Sequence, residues 1–597
     1  MAIYPNVIAR NEVTKQSLSN TKILLVAVII LAAFLRLWRL DSVPVSLFGD
    51  ELDVGYHAYS ILKTGKDYSG NFMPLHFQSL AEWRTPLYLY SAVPTVAMFG
   101  ISPWGVRLPA AIFGILSVWL FYLLVGQITG NKKLALLSAL LIAVSPWHIQ
   151  YSRAGFEVTQ MLALYLSGIY FFLRGLKDGK FLWLSGVCLA LTPWSYSTAK
   201  LFLPLTVISL FIIWRKDILG ISKKYLVQGV AAFVIVVSPM LYTTIFGGGA
   251  TRFNYISVFS DPTMIPEIGF SRLHDGRMRT ETNEVGLQPT IIERAIHNKF
   301  TWTGSFVFKN YLEAFSTNFL FLEGDPNPRH SPQGIGQFYR LEFLFLIAGL
   351  AFFLFSKLDK KIKAFIILWV LLAPLPSALT RDGGNHATRL FFLLPPLVFL
   401  ISYGVWGIYQ SLSNANRKLF GIGYAFTLLA SFVFYQHLYW VHHPWDSERW
   451  WHAGFEDAIK TAAAESPKYD KVIISMNGEP AYIFLLGWSQ FDPKVFQQNY
   501  IERDGGKWLP SETIPGFGKI SKLDKYYFGS ANTDLYSLAG VLPDNTLYIA
   551  TAKDVSVNLI QEPERLPGNL KLIKSSPFPS GEPAYYLLTK STNTTQK

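Results

Sequence analysis

Asp50 and Glu51 stand side by side about ten residues beyond the first long apolar run, and such carboxylates are what general acid and base chemistry requires. A purely local role competes with that reading. In SLFGDELDVGYHAYSILKTG, Asp50 reads as the N-cap of an amphipathic helix ending at Gly65, with Asp53 as its capping-box-like partner. Other ionisable residues recur near the ends of apolar runs. They are Glu82 and Arg84 in AEWRTPLYLY, Arg153 and Glu157 in SPWHIQYSRAGFEVTQ, and Lys200 in YSTAKLFLP. GDPNPRH adds Asp325, Arg329 and His330, and RDGGNHATRLFFLLPP adds Arg381, His386 and Arg389. Charges at a bilayer boundary are costly to desolvate unless paired or facing water, so these groups are expected to converge on one cavity. The cations among them suit a lipid phosphate, whose oxygens arginine grips in pairs. Taken singly, each has an ordinary explanation. Glu82 and Arg84 read as a solvated loop pair, Arg153 and Glu157 as an i, i+4 pair on one helix face, and Lys200 as a snorkelling side chain.

The elements that must hold these residues follow from composition. Of 597 residues 51% are hydrophobic and only 16% charged, which points to a mostly α, polytopic membrane protein. The net charge of +13 is gathered into short Lys/Arg clusters between apolar runs rather than onto one face, so it reads as topology and not as a nucleic-acid surface. With those clusters placed in the cytoplasm, about eleven crossings are expected: about 23–40, 104–128, 133–146, 157–174, 181–194, 200–214, 225–246, 339–356, 364–379, 388–410 and 419–440. The stretch 87–100 is too short to cross and is expected to lie as a helix at the outer interface.

The resulting plan has a cytoplasmic tail over 1–22, a transmembrane domain over 23–440 with outer loops at 41–103 and 247–338, and an external soluble α/β domain over 441–597. The host membrane is expected to be the cell (plasma or inner) membrane, with the C-terminal domain outside. The single cysteine, Cys188, excludes an intrachain disulfide. The sequence contains no GxxxxGK[ST], HExxH or paired CxxC, which argues against nucleotide-driven chemistry. A divalent metal held by Glu82 and His330 is conceivable, and His386 is a further candidate for metal or acceptor contact.

GDELDVGYHAYSILKTG, EWRTPLYLY, VRLPAAIFG, SPWHIQYSRAGFE, FLFLEGDPNPRH and LPSALTRDGGNHATRLFFLLPP, in that order and placement, resemble the GT-C fold glycosyltransferases that use polyprenyl-phosphate sugars. That group includes protein O-mannosyltransferases and the aminoarabinose transferase of lipid A. The resemblance implies a polyprenyl-phosphate sugar as donor, a protein, lipid or polysaccharide acceptor, and the first-loop aspartate, Asp50, as catalytic base with Glu51 beside it. Glu157 matches a second acidic position, and Lys200 and Arg84 match cations that contact the donor phosphate. Arg153, Arg329, Arg381 and Arg389 complete the expected phosphate-binding set. The implied reaction is a single inverting displacement at the outer face. A lipid-linked sugar flippase and an O-antigen ligase-like enzyme with a diphosphate donor are the competing classes; the charges cluster at the outer face without an internal repeat, unlike many transporters.

Overall fold

The computed structural model describes residues 5–80, 82–249, 251–280, 288–476, 478–503 and 506–591. The chain forms two compact units. One comprises residues 1–32, 115–150 and 160–433, and the other residues 33–114, 151–159 and 434–597. The C-terminal segment therefore shares a unit with the first loop, a grouping that a cut at residue 441 does not anticipate.

The first unit is helical. Its helices pack where small residues let backbones touch, as expected of helices that meet in an apolar solvent. A Cβ on Gly349 of Glu342–Phe355 would fall 1.9 Å from the Leu400 carbonyl of Leu394–Ser411, and one on Gly404 would fall 2.0 Å from the Phe345 carbonyl. Among the described residues of the whole chain, six helices are long and apolar enough to cross a membrane: Asn20–Leu37, Pro103–Thr129, Lys223–Phe246, Lys360–Ala378, Phe391–Ser411 and Asn414–Asp446. A seventh would be Lys132–Val144 with Pro146–Arg153, bent by 57°. Helices also form at Val158–Gly175, Leu182–Ser195, Ala199–Leu219 and Glu342–Phe355, where four further crossings are expected, but these are too short, too weakly apolar or too charged to count among the six.

The second unit joins helical and sheet structure. Its seven-stranded sheet runs, in spatial order, 570–577, 583–590, 546–551, 471–474, 526–528, 518–523 and 511–514. Strand Lys471–Ile474 pairs in parallel with both neighbours, and the remaining pairs are antiparallel. Buried strand positions alternate between two cores. Val472 and Ile474 face a core that also takes Leu52, Tyr56, Tyr88, Phe455 and Phe484, whereas Ile473 faces one with Tyr548 and Tyr586. The helix Gly49–Thr64, expected from sequence, therefore buries one face on the C-terminal segment. The stretch 87–100 is indeed helical, over Pro86–Phe99, with its proline in the first turn.

Candidate active site

The helix bearing the paired carboxylates starts two residues earlier than its sequence suggests. Phe48 occupies the N-cap and offers no side-chain bond, so Asp50 lies in the first turn rather than at the cap. The missing cap comes from the far end of the chain, where Glu479 accepts from the Gly49 amide through Oε2 at 2.9 Å. A carboxylate there also complements the positive end of the helix dipole. The fit is close, since a Cβ on Gly49 would fall 2.2 Å from that same oxygen. His452 stands 3.5 Å from the other Glu479 oxygen. Glu479→Ala is expected to cost about 1 kcal/mol of stability, the ordinary worth of an N-cap. Thermal melting of the purified variant reads that loss.

The two adjacent carboxylates separate completely. Asp50 is 42% exposed, and its Oδ2 pairs with Arg84 Nη2 at 2.9 Å. Arg84 Nη1 donates to the Asp50 carbonyl at 3.0 Å and reaches Asp53 Oδ2 at 3.5 Å. Oδ1 of Asp50 accepts no hydrogen bond among the described residues. Glu51, by contrast, is fully buried. Arg107 donates to it from Nε at 2.8 Å and from Nη2 at 2.9 Å, and the Gly155 amide donates at 2.6 Å. The i to i+1 step on a helix turns a side chain by about 100°, enough to send one carboxylate outward and its neighbour inward. Glu51 is thereby part of the framework and has no surface on which to meet a substrate.

Asp53 is buried as well, but not as a cap. Tyr68 donates to its Oδ1 at 2.7 Å and Ser79 to its Oδ2 at 2.6 Å, beside His57 at 3.7 Å. Burial pushes the Asp53 carboxyl up to about 6 against the opposing pull of Arg84, Ser79 and Tyr68. A raised carboxyl favours the folded state most below the unfolded value near 3.8, and that contribution is lost as pH climbs through about 6. Asp53→Asn should therefore flatten the difference in stability between pH 4 and pH 7 by roughly 2 kcal/mol, read as thermal midpoints across that range. Protonation near pH 6 would also leave Arg84 with Asp50 as its only anionic partner among these groups.

Arg153 is placed where it cannot grip a phosphate. All five of its donors are used: Nε on Tyr439 Oη at 3.2 Å, Nη1 on the Leu35 and Trp38 carbonyls, and Nη2 on those of Arg39 and Val43. Trp440 lies under the guanidinium at 4.8 Å. Arg107 likewise spends its remaining donors on the carbonyls of Leu40, Pro44 and Ser46. Two buried arginines thus satisfy the irregular backbone between the first apolar helix and the Asp50 helix, where no ladder is available to do so. The expected Arg153–Glu157 helical pair does not form, because Pro146–Arg153 ends at Arg153 and the next helix begins at Val158. Glu157 is buried in that break. The side chain of Glu82 lies outside the described residues.

The remaining expected site residues belong to the helical unit. Lys200 donates to the Gly249 carbonyl at 2.9 Å. Arg381 donates to the Ser260 carbonyl at 2.8 Å, with Asp261 at 3.8 Å. Arg389 is buried, donates to Thr380 Oγ1 at 2.7 Å and stands 3.8 Å from Asp382. Arg329 sits in a turn closed by its amide on Asn327 Oδ1, and its carbonyl accepts from Gln150. Burial raises the Asp325 carboxyl to about 6 and, with the Arg329 and Arg389 charges, lowers His330 to about 3. His330 and His386 lie with ring centroids 4.9 Å apart. Arg107, Tyr68, Ser79 and Glu479 are site residues that the sequence reading misses. Arg107 carries a usable signal as a charge inside an apolar run, whereas nothing local marks Glu479.

Residues 84–242 match the family described as Dolichyl-phosphate-mannose-protein mannosyltransferase, a region that includes Arg84, Arg107, Arg153, Glu157 and Lys200 but begins after Asp50. YycA of Bacillus subtilis, which bears a mannosyltransferase name, is 31% identical over 101 residues, or 17% of this chain and 15% of the relative. The chain thus spans only a small part of that relative. ArnT from Cupriavidus metallidurans, solved bound to undecaprenyl phosphate, superposes with a TM-score of 0.51 at 13% identity, over 95% of this chain and 97% of that one. AglB from Archaeoglobus fulgidus, solved with an inhibitory peptide and a dolichol-phosphate, gives 0.45 at 12% identity over 79% of this chain and 63% of its own.

Proposed function

We propose that this chain is a GT-C fold glycosyltransferase that moves a monosaccharide from a polyprenyl-phosphate donor to an acceptor hydroxyl at the outer face of the membrane, with Asp50 as base. The single observation that carries the reading is the contrast within the Asp–Glu pair. One carboxylate is buried and saturated, and the other is exposed, oriented by Arg84 and mounted at the start of a helix held at both its N-terminus and its flank. A base must be both fixed and reachable, and among these groups Asp50 meets both conditions.

In the proposed step an acceptor hydroxyl approaches Asp50 Oδ1 and gives up its proton as its oxygen bonds the anomeric carbon. The bond from that carbon to the phosphate oxygen breaks, and its electron pair leaves on polyprenyl phosphate. One displacement inverts the anomeric centre, as the base half of an inverting hydrolase does. Arg84 is a positioning residue here, since it holds Asp50 and Asp53. Lys200 retains, as part of the proposal, the phosphate-binding role that the family resemblance implies, and Arg329, Arg381 and Arg389 the one that their charge near span ends suggests. Eleven crossings and an external C-terminal segment belong to the same proposal.

The test is transfer by purified protein in proteoliposomes supplied with radiolabelled polyprenyl-phosphate hexoses and pentoses and with extracted envelope acceptors. Appearance of labelled, inverted product supports the assignment. Movement of labelled donor across the vesicle membrane with no transfer would replace it by a flippase.

A further inference from the structure

The helical unit contains a group of side chains for which the proposed displacement has no use. Asp325, His330 and His386 each offer one ligand atom, and these atoms all lie within 4.8 Å of one another. They come from two segments, the GDPNPRH turn and the loop that follows Thr380. The carboxylate is already built into both. Its Oδ1 accepts from the Asn327 amide at 2.9 Å, and its Oδ2 accepts from the Ala387 amide at 2.8 Å, next in sequence to His386. His386 Nδ1 stands 3.9 Å from that same Oδ2. His330 Nδ1 lies 3.2 Å from Thr388 Oγ1, the type of outer partner that fixes the ring of a metal-bound histidine.

The donor set selects the ion class. Two imidazole nitrogens and one carboxylate oxygen suit a borderline metal such as zinc, whereas magnesium and calcium favour oxygen alone. Bonds of about 2.0–2.2 Å would require the three atoms to draw together by roughly 1 Å, a movement within reach of side-chain rotation. We propose that Asp325, His330 and His386 form a three-ligand site for a zinc-class divalent cation that pins the GDPNPRH turn to the 380–390 loop. The fourth position would take water or an anionic oxygen. The site stands independently of the glycosyltransfer reading, because its occupancy can be measured without any turnover.

The experiment uses the full chain in detergent, stripped with EDTA, desalted and titrated with zinc chloride, with magnesium chloride as control. Metal content after gel filtration, calorimetric titration and thermal midpoint are the readouts. Wild-type protein is expected to retain one zinc per chain and to melt higher with zinc but not with magnesium. His386→Ala and His330→Ala should each weaken zinc binding by about 100-fold or more. Cobalt substituted for zinc should give visible absorption bands that His386→Ala abolishes. Should His330→Ala fail to elute as a single species, His386→Ala, at a partly exposed loop position, decides the question. Absence of stoichiometric zinc in the wild type, or retention undiminished in His386→Ala, overturns the site.

Discussion

Asp50→Asn is expected to lower the transfer rate by about 10²–10⁴-fold, the usual worth of a positioned general base, while leaving the protein folded. The substitution is nearly isosteric. It keeps an oxygen for Arg84 and removes only the ability to accept a proton, so thermal midpoint and donor binding should change little. Asp50→Glu offers the complementary reading: it restores the base but moves it by one methylene, and partial activity is expected. The decisive measurement is single-turnover transfer in proteoliposomes, which separates the chemical step from donor uptake. Transfer by the Asp50→Asn protein at the wild-type rate would remove Asp50 from the chemistry. Loss of both transfer and thermal stability would instead assign it a structural role like that of its neighbour.

The second large effect is on stability and belongs to the pair formed by Glu51 and Arg107. Both side chains are fully buried, and Arg107 also binds the carbonyls of Leu40, Pro44 and Ser46. Removing one partner leaves a charge with no water to receive it, a loss of about 3–5 kcal/mol. Glu51→Ala is therefore expected to lower the thermal midpoint steeply and to increase protease cleavage in the segment between residues 38 and 48. Arg107→Met should do the same through the orphaned carboxylate and carbonyls. Joining Glu51→Gln with Arg107→Met should cost less than the sum of the two, because neither charge is then left alone. Additive losses would mean that the pair is not coupled. A Glu51→Ala protein of normal stability but no activity would return Glu51 to the reaction.

Much of the helical layout is legible because it depends on runs of apolar residues, and such runs report burial in lipid or protein directly. The Asp50 helix, its Gly65 terminus and the short helix after Pro86 are all readable from local pattern. Arg153 misleads for a physical reason. A lone arginine near a span end looks alike whether it awaits a phosphate or is saturated by five protein oxygens, since both need the same side chain at the same depth. The Arg153–Glu157 spacing likewise suggests one helix, but the intervening AGF breaks it and lets the Gly155 amide reach Glu51. Glu479 is out of reach of any local pattern, since the amide it caps lies 430 residues away.

By itself, the sequence determined the apolar helices, the adjacent carboxylates near a helix start and the order of motifs that points to a glycosyltransferase. These depend on composition and short-range spacing, which the chain carries wherever it folds. Only the tertiary structure decided that Glu51 is framework and Asp50 is reachable, that Arg107 and Arg153 satisfy loop carbonyls, and that Asp325 joins His330 and His386. Those outcomes turn on which distant group supplies the hydrogen bond, and a one-residue rotation about a helix axis is enough to exchange a buried role for an exposed one.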